Sequence, residues 1–361
     1  MNIGNFLLES SNLFTVYRWN NNPAIVRFSE SDNIYNNLLL SIFVFSEESK
    51  ENLVKILHNK IYEAIPKIRL SDISLATKSK IEEKGKRLWD EVINKTYKEV
   101  ESYFDSDIRS KLLIHYAFDE EIEKKVRMIN LLVAQKEASI NERVFPEYYT
   151  EPKIKKPKRK IKKMDIQGKK EIEELANELL EISTRLVTMI RWNKNHRNIK
   201  SSVASHTFFV FLISYLLALK ANLQMKEIYD IMIASILHDL PEAFTGDVIS
   251  PTKRKVRGLE EIIGEIEKDF IKDWYNDKIA LKEKIKKYEK YIYAPFENDY
   301  GAYVKTSDLM AALIECSLEI STGNQNKYFI DTFKTIKEEI LHFSPIDISE
   351  IINEIESSIH P

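Results

Sequence analysis

The stretch SILHDLPEAFTGDVISP, residues 235–251, places a histidine, an aspartate and a proline at the end of an apolar helix. Residues 231–237 are almost all apolar, which is typical of a buried α-helix. Pro241 has no amide hydrogen and therefore favours a helix break. An imidazole and a carboxylate at such a place, His238 and Asp239, are costly unless something satisfies them. They either make ordinary hydrogen bonds and cap the next helix, or bind a metal together with ligands from elsewhere.

The composition of the 361-residue chain is typical of a helical globular protein. Only 8 Gly and 10 Pro occur, and 43% of the residues are hydrophobic, so we expect long helices and short loops around a large core. The net charge of −2 argues against a nucleic-acid partner. The apolar run 208–219 is too short to span a bilayer, the N-terminus lacks a signal peptide's basic region, and the single Cys316 fits a reducing compartment. We expect a cytoplasmic protein with no membrane partner.

The chain contains an internal repeat. Four pairs of segments match in the same order, namely 16–33 with 189–206, 56–59 with 236–239, 63–64 with 242–243 (one residue out of step), and 128–140 with 308–320. The first pair shares Arg-Trp-Asn, and the second reads ILHN and ILHD. Amphipathic helices resemble one another in composition, but the common order favours a duplication. The sequence therefore predicts an all-α fold with two tandem helical domains, 1–145 and 171–361.

A Lys- and Pro-rich segment, 146–170, separates these two domains. It shows little apolar periodicity, so we expect an exposed linker. Its basic cluster, Lys153 to Lys163, could contact an acidic partner or a nucleotide, although a charge run in a linker is more often simply solvated.

Four candidate metal ligands lie near the ends of three apolar helices in the second domain: His206, His238, Asp239 and Asp308. Each residue alone has an ordinary structural explanation. Two imidazoles and two carboxylates together suit one divalent ion such as Mn²⁺, Co²⁺, Fe²⁺, Ni²⁺, Zn²⁺ or Mg²⁺, with coordination positions left for water and substrate. Such an ion would polarise a phosphoryl oxygen and lower the pKa of bound water.

This order of ligands resembles the H…HD…D signature of HD-domain metal-dependent phosphohydrolases. The surrounding sequence is most similar to bacterial 5′-deoxynucleotidases in Arg191-Trp192, in Ser202–His206, in HDLPEAFTGD at 238–247 and in KTSD at 305–308. The resemblance covers roughly residues 175–325. It implies an HD-like helical fold with one metal site, and the hydrolysis of (deoxy)nucleoside 5′-monophosphates to nucleoside and phosphate.

The resemblance also implies roles for further side chains. Glu242 is then the general acid or base and Asp247 lies at the reaction centre or the sugar, although the first could be a surface residue and the second a turn residue. Substrate-binding candidates are Arg191, Trp192, Lys253 and Lys305. Arg191 offers a planar fork of donors for phosphate, and Trp192 could exclude a 2′-hydroxyl.

Two positions depart from the family pattern and leave the substrate open. Ser205 stands where Glu is common, and Asn193 stands where Pro is common. Alternatives are a deoxynucleoside triphosphate triphosphohydrolase, a non-catalytic nucleotide sensor, and, favoured only by the basic segment, a nuclease.

The first domain looks like a degenerate HD-like copy. The repeat places Asn33, His58, Asn59 and Met128 opposite the four ligands. Asn and Met cannot neutralise a dication as carboxylates do, so we expect no catalytic metal there. A fused copy could satisfy within one chain the two-fold interface of a homodimer. We therefore expect an intramolecular pseudo-dimer, open to further homo-oligomerisation. The rival interpretation is a regulatory nucleotide-binding domain.

Overall fold

In the computed structural model, which describes residues 2–70, 73, 75–248 and 255–359, the chain is built from α-helices. The described residues form two isolated β-bridges and no longer strand. A 3₁₀ turn, Ser11–Phe14, follows the first helix. The α-helices are α1 Ile3–Ser10, α2 Glu30–Val44, α3 Lys50–Arg69, α4 Leu75–Glu101, α5 Ser106–Leu112, α6 Glu120–Glu142, α7 Glu151–Lys163, α8 Lys169–Thr188, α9 Val203–Lys220, α10 Met225–Leu237, α11 Glu242–Thr245, α12 Leu259–Tyr275, α13 Ile279–Tyr293, α14 Gly301–Ser321, α15 Lys327–Phe343 and α16 Ser349–Ser357. The expected all-α fold is confirmed.

Helix α9 is the central helix of the core. It packs against α2, α8, α10 and α14, and nearly all of its residues are buried. By length and composition it could cross a membrane, so the apolar run is longer than the sequence analysis assumed, yet 94% of it is buried inside the protein. Burial on every side explains why this helix is apolar all round.

The two halves of the chain share one hydrophobic core. Most of the buried apolar residues between α1 and α16 belong to a single connected cluster, and α2 and α3 of the first half pack on α9 and α10 of the second. The last helix returns to the first, where the Glu354 carboxylate accepts the backbone amide of Gly4 at 2.6 Å. A side chain at Gly4 would come within 2.6 Å of the Ile351 carbonyl, so this approach requires glycine.

The repeated Arg-Trp segments have the same local structure. Bridges join Tyr17 to Ser29 and Ile190 to Ser202. Both tryptophans that follow the arginines have a left-handed backbone, with φ of 56° in the first half and 57° in the second. Each segment ends at a serine N-cap whose side chain accepts a backbone amide of the next helix. This likeness supports the duplication, which stays a prediction.

The segment 146–170 differs from the exposed linker that the sequence suggested. Helix α7 forms within it and packs against α6. Ile161 and Ile166 are buried in a small cluster with Met128. These few apolar residues anchor the segment, while the lysines at 155, 156, 158, 160, 162 and 163 are exposed. The domain boundaries on either side of it stay predictions.

Candidate metal centre

Local capping fixes where the histidine of α9 lies. The Ser202 hydroxyl accepts the Ser205 amide at 2.9 Å and so begins the helix, which puts His206 in its first turn. At the other side of the site, α10 ends at Leu237, and His238 caps it. Because α9 packs against both α10 and α14, the helix ends that carry the candidate ligands converge.

Three of the four candidate ligands come together in the structure. One ligand atom from each of His206, His238 and Asp239 lies within 4.8 Å of the other two. The His238 Nδ1 atom lies 2.9 Å from the Ser235 carbonyl oxygen. A carbonyl can only accept, so Nδ1 carries the proton and Nε2 of a neutral ring keeps its lone pair. That Nε2 atom lies 3.1 Å from Asp239 Oδ2.

The fourth candidate, Asp308, lies beside this group of three. Its Oδ1 atom is 3.2 Å from His206 Nε2, and its Oδ2 atom is 3.1 Å from Lys305 Nζ. Lys305, expected to bind substrate, is therefore paired with a candidate ligand. Its ammonium also lies 4.9 Å from the centre of the Phe296 ring.

The electrostatics of the cluster keep its carboxylates charged. Burial opposes ionisation of Asp239, but His238 and His206 outweigh it and lower the Asp239 pKa to about 2. Burial likewise opposes ionisation of Asp308, while Lys305 and His206 hold its pKa well below the usual range. Burial and the charge of Arg191 oppose protonation of His206, yet hydrogen bonding and charge from the neighbouring acids raise its pKa.

The donor set fits a divalent ion. The His238 Nε2 atom is buried and makes no hydrogen bond of acceptable geometry within the described part of the chain. His206 is fully buried, and two carboxylates face the same small region. Imidazole nitrogens and carboxylate oxygens are the ligands of a mixed site for metals such as Mn²⁺, Fe²⁺ or Zn²⁺. The four residues could hold such an ion, and the donors do not distinguish among these metals.

Glu315, which the sequence analysis missed, supports the cluster from α14. Its Oε2 atom accepts the Trp192 indole N–H at 2.8 Å and lies 3.7 Å from His206 Nδ1. The Ser201 hydroxyl donates to the other oxygen. Burial is outweighed by His206, Arg191 and Arg197, so the Glu315 pKa lies far below its usual range. A signal existed in the sequence, because Glu315 lies two helical turns after Asp308 and therefore on the same face.

The Arg191-Trp192 pair lies at the rim of this cluster. The Arg191 side chain is 14% exposed, and its Nε atom is 3.6 Å from Glu315. Burial alone would lower the pKa of Arg191. The negative charges of the acids around it, Glu315 first and then Asp247, Asp239 and Glu242, outweigh burial and raise that pKa. The guanidinium therefore faces the acids of the centre.

Trp192 is held more firmly than the sequence suggested. Its N–H is bound to Glu315, and its ring packs against Tyr328 and Phe329 at centroid distances of 6.0 and 6.1 Å. The chain after residue 325 thus packs on the tryptophan through α15. Only the remaining ring surface is available to a sugar.

The acidic candidates after Asp239 lie on a short turn. Glu242 begins α11, and its amide donates to the Asp239 carbonyl at 3.1 Å. Asp247 follows Gly246, whose φ of 84° suits glycine, and the Asp247 amide contacts Met189 Sδ at 3.1 Å. Lys253, the remaining substrate candidate, lies outside the described residues.

In the first half, the equivalent groups are engaged by the protein itself. Both ring nitrogens of His58 are occupied, at 2.7 Å from the Tyr215 hydroxyl and 2.6 Å from the Ile114 carbonyl. Burial lowers the pKa of His58 to about 4, so the ring is neutral. Asn59 donates to the Tyr116 carbonyl at 2.8 Å and accepts its amide at 3.0 Å. His58 therefore has no lone pair left for a metal, and the Asn59 amide is held by the backbone of Tyr116.

Two matching tryptophan–glutamate hydrogen bonds favour a different alignment of the last helix of the predicted repeat. Glu137 accepts the Trp19 N–H at 3.0 Å, as Glu315 accepts that of Trp192. With these glutamates matched, Asn130 rather than Met128 lies opposite Asp308. Met128 is fully buried in the small cluster with α7, and Asn130 accepts the buried Lys60 ammonium at 3.0 Å.

Comparison with known proteins agrees with the all-α fold and the clustered His-Asp site. Residues 178–359 match the family described as 5′-deoxynucleotidase YfbR-like, and the chain belongs to this family of HD-type phosphohydrolases. The chain is also 33% identical over 92 residues to a dATP triphosphohydrolase of Acinetobacter phage SH-Ab 15497. That alignment covers 21% of this chain and 45% of the relative, so the chain spans less than half of that protein. Membership of the family implies a divalent metal ion.

Proposed function

We propose that the protein hydrolyses (deoxy)nucleoside 5′-monophosphates to nucleoside and phosphate at the centre in its second half. The observation that carries this proposal is the convergence of His206, His238 and Asp239 within 4.8 Å, with Asp308 beside them, in the segment that matches the family. The same metal would be held by all four residues. When bound, it would polarise the phosphoryl group and make water acidic enough to attack near neutral pH.

The chain's own residues supply binding and proton transfer. The Arg191 guanidinium donates to the phosphoryl oxygens, since it already faces the acids of the centre. Glu242 takes a proton from the attacking water and returns it to the leaving 5′-oxygen as the P–O5′ bond breaks. Asp247, next to the glycine turn, contacts the sugar, and the ring of Trp192 limits space at the 2′ position. Lys305 orients Asp308 in addition to any contact with phosphate.

A triphosphohydrolase activity is the second candidate, because one relative is named a dATP triphosphohydrolase. Both reactions break the bond between the 5′-oxygen and the α-phosphorus, so the same centre could perform either. They differ in whether the site accepts the additional charge of two more phosphates. The basic run at 253–257 follows Asp247 closely in the sequence and would favour the triphosphate, whereas Arg191 paired with one phosphoryl group favours the monophosphate.

The experiment follows products by ³¹P NMR. Purified protein with Mn²⁺ or Co²⁺ is incubated with dAMP, AMP and dATP, beside an Asp239→Ala variant. We expect inorganic phosphate from dAMP, less from AMP, and nothing from the variant. Triphosphate released from dATP with dAMP untouched would replace the proposal by the second candidate. Binding of nucleotides without any product would indicate a sensor.

We also propose that the first half acts as a built-in dimer partner. Its helix α2 packs against α9, and the Asp32 carboxylate accepts the Ser202 hydroxyl at 2.5 Å and the Ser205 hydroxyl at 2.8 Å. These serines begin the helix that carries His206. The two matching helix N-termini therefore meet, as two copies would across a two-fold axis. Further self-association and a cytoplasmic location remain predictions.

A further inference from the structure

Tyr35, in the first half of the chain, has a buried hydroxyl without a hydrogen-bond partner. Its side chain on α2 is fully buried, and among the described residues no group lies within hydrogen-bonding geometry of its oxygen. Buried hydroxyls are nearly always paired, because an unpaired one loses its hydrogen bonds to water without replacement. The arrangement therefore calls for a partner that the protein alone does not supply.

The position of Tyr35 relates it to the metal centre of the second half. Helix α2 packs against both α9 and α10, the helices that carry His206 and end at His238. Burial and the negative charges of Asp239 and Glu242 raise the pKa of Tyr35. The hydroxyl consequently keeps its proton at any physiological pH and can act as a donor. His206 is also fully buried. The Tyr35 hydroxyl and this candidate ligand therefore both lie in the interior of the protein.

Within the predicted repeat, only the first half carries a hydroxyl at this position. The spacing that relates Trp19 to Trp192 relates Tyr35 to Phe208. A Phe ring fills the same kind of space without a donor. The hydroxyl is thus present at the position near the intact ligand set and absent at its counterpart. A tyrosine needed only for packing would have no reason to carry it.

We propose that the Tyr35 hydroxyl donates a hydrogen bond to the phosphoryl group bound at the second half's metal centre, so that the first half supplies part of the substrate site. The inference rests on the proposed function only in that a phosphoryl group binds there. A neutral donor suits this place, because it stabilises an anion without adding a charge that would compete with the metal for Asp239 or Asp308.

The test compares wild type, Tyr35→Phe and Tyr293→Phe. Tyr293 is the matched control, because its hydroxyl is also buried without a partner, whereas the acidic groups that raise its pKa after burial are Tyr275 and Glu289. Binding of inorganic phosphate to each Mn²⁺-loaded protein is measured by calorimetry. The thermal midpoint of each protein without phosphate and the turnover of dAMP are measured alongside.

We expect Tyr35→Phe to weaken phosphate binding about 10- to 100-fold, as for the loss of one hydrogen bond to a charged group, without lowering the thermal midpoint. Tyr293→Phe should bind phosphate as wild type does. Unchanged phosphate binding in Tyr35→Phe, a lowered midpoint, or no phosphate binding by wild type would overturn the proposal. If phosphate binding weakens but no protein hydrolyses nucleotides, the inference stands and the proposed function fails. If Tyr35→Phe both binds phosphate and hydrolyses dAMP as wild type does, the proposed function stands and the inference fails.

Discussion

At the scale of single residues, one buried carboxylate organises the centre. Glu315 holds the Trp192 indole at 2.8 Å and stands 3.7 Å from His206 Nδ1. It holds the tryptophan of the Arg-Trp segment by a hydrogen bond and places its negative charge beside a candidate ligand. A carboxylate behind a metal-binding imidazole sets the tautomer and raises the basicity of the ring. The account therefore places metal affinity under the control of a residue that does not touch the metal.

Replacing this carboxylate tests that claim. We predict that Glu315→Gln weakens Mn²⁺ binding roughly 10- to 100-fold, because the amide keeps the size of the side chain and loses its charge. Metal titration followed by calorimetry measures the change. Glu137→Gln, the same substitution at the first half's counterpart, should destabilise the fold and leave metal affinity unchanged. Equal losses of affinity in both variants would contradict the assignment.

Acid sensitivity follows from a second buried residue, Glu30. Burial opposes its ionisation, but Lys67 and Arg18 lower its pKa from 4.5 to about 2. The folded state therefore binds this proton more weakly than the unfolded state does. Ionised Glu30 stabilises the fold fully above pH 4.5, and this stabilisation is lost as the pH falls towards 2.

The pH dependence can be isolated by substitution. We predict that the difference in free energy of unfolding between wild type and Glu30→Gln narrows by about 2 kcal/mol from pH 6 to pH 3. Urea unfolding at both pH values measures it. A difference that stays constant over this range would show that Glu30 titrates normally.

At the scale of secondary structure elements, the contact between α2 and α9 joins the two halves. The Asp32 carboxylate caps its own helix through Ser29 and also accepts the hydroxyls of Ser202 and Ser205. Burial raises the pKa of Asp32 despite these bonds. A single acid thus couples the start of one helix to the start of the helix that carries His206.

Removing that acid should affect both stability and the site. We predict that Asp32→Ala lowers the free energy of unfolding by about 2–4 kcal/mol, because an N-cap and two buried hydroxyls lose their partner, and that it also weakens metal binding. Asp105→Ala is the control, because the Asp105 carboxylate also caps a helix of the first half, where it accepts the Ile108 amide at 2.9 Å. If Asp32→Ala weakens metal binding no more than Asp105→Ala, α2 does not support the site.

Some of the helices could be predicted from local sequence patterns, and others could not. The apolar run before His238 and the Ser-capped start of α9 are local signals, so both helices and the grouping of His206, His238 and Asp239 could be anticipated. Helix α7 could not, because its stability depends on Ile161 and Ile166 meeting α6, a contact that no local pattern displays. Met128 was matched to Asp308 because two amphipathic helices align equally well in several registers. The hydrogen bonds from Trp19 to Glu137 and from Trp192 to Glu315 favour the register that pairs Asn130 with Asp308.

At the scale of the whole molecule, the two halves depend on each other through a shared core. Buried residues of both halves form one cluster, and α16 packs on α1. The sequence indicated two domains of HD type but not that they would share a core, since that depends on which helix faces meet. In this arrangement Asp32 of the first half contacts the start of the helix that carries His206, while His58 and Asn59 are hydrogen-bonded within the chain.

The most direct test of the account measures phosphate release from dAMP with Mn²⁺ for wild type, Asp239→Ala and Asn59→Ala. The two substitutions occupy matching positions of the repeat, in ILHD and ILHN. The account predicts loss of at least about 1,000-fold in turnover for Asp239→Ala, since a metal ligand is removed, and activity within a few-fold of wild type for Asn59→Ala. Equal loss in both variants, or activity surviving in Asp239→Ala, would contradict a single metal centre in the second half.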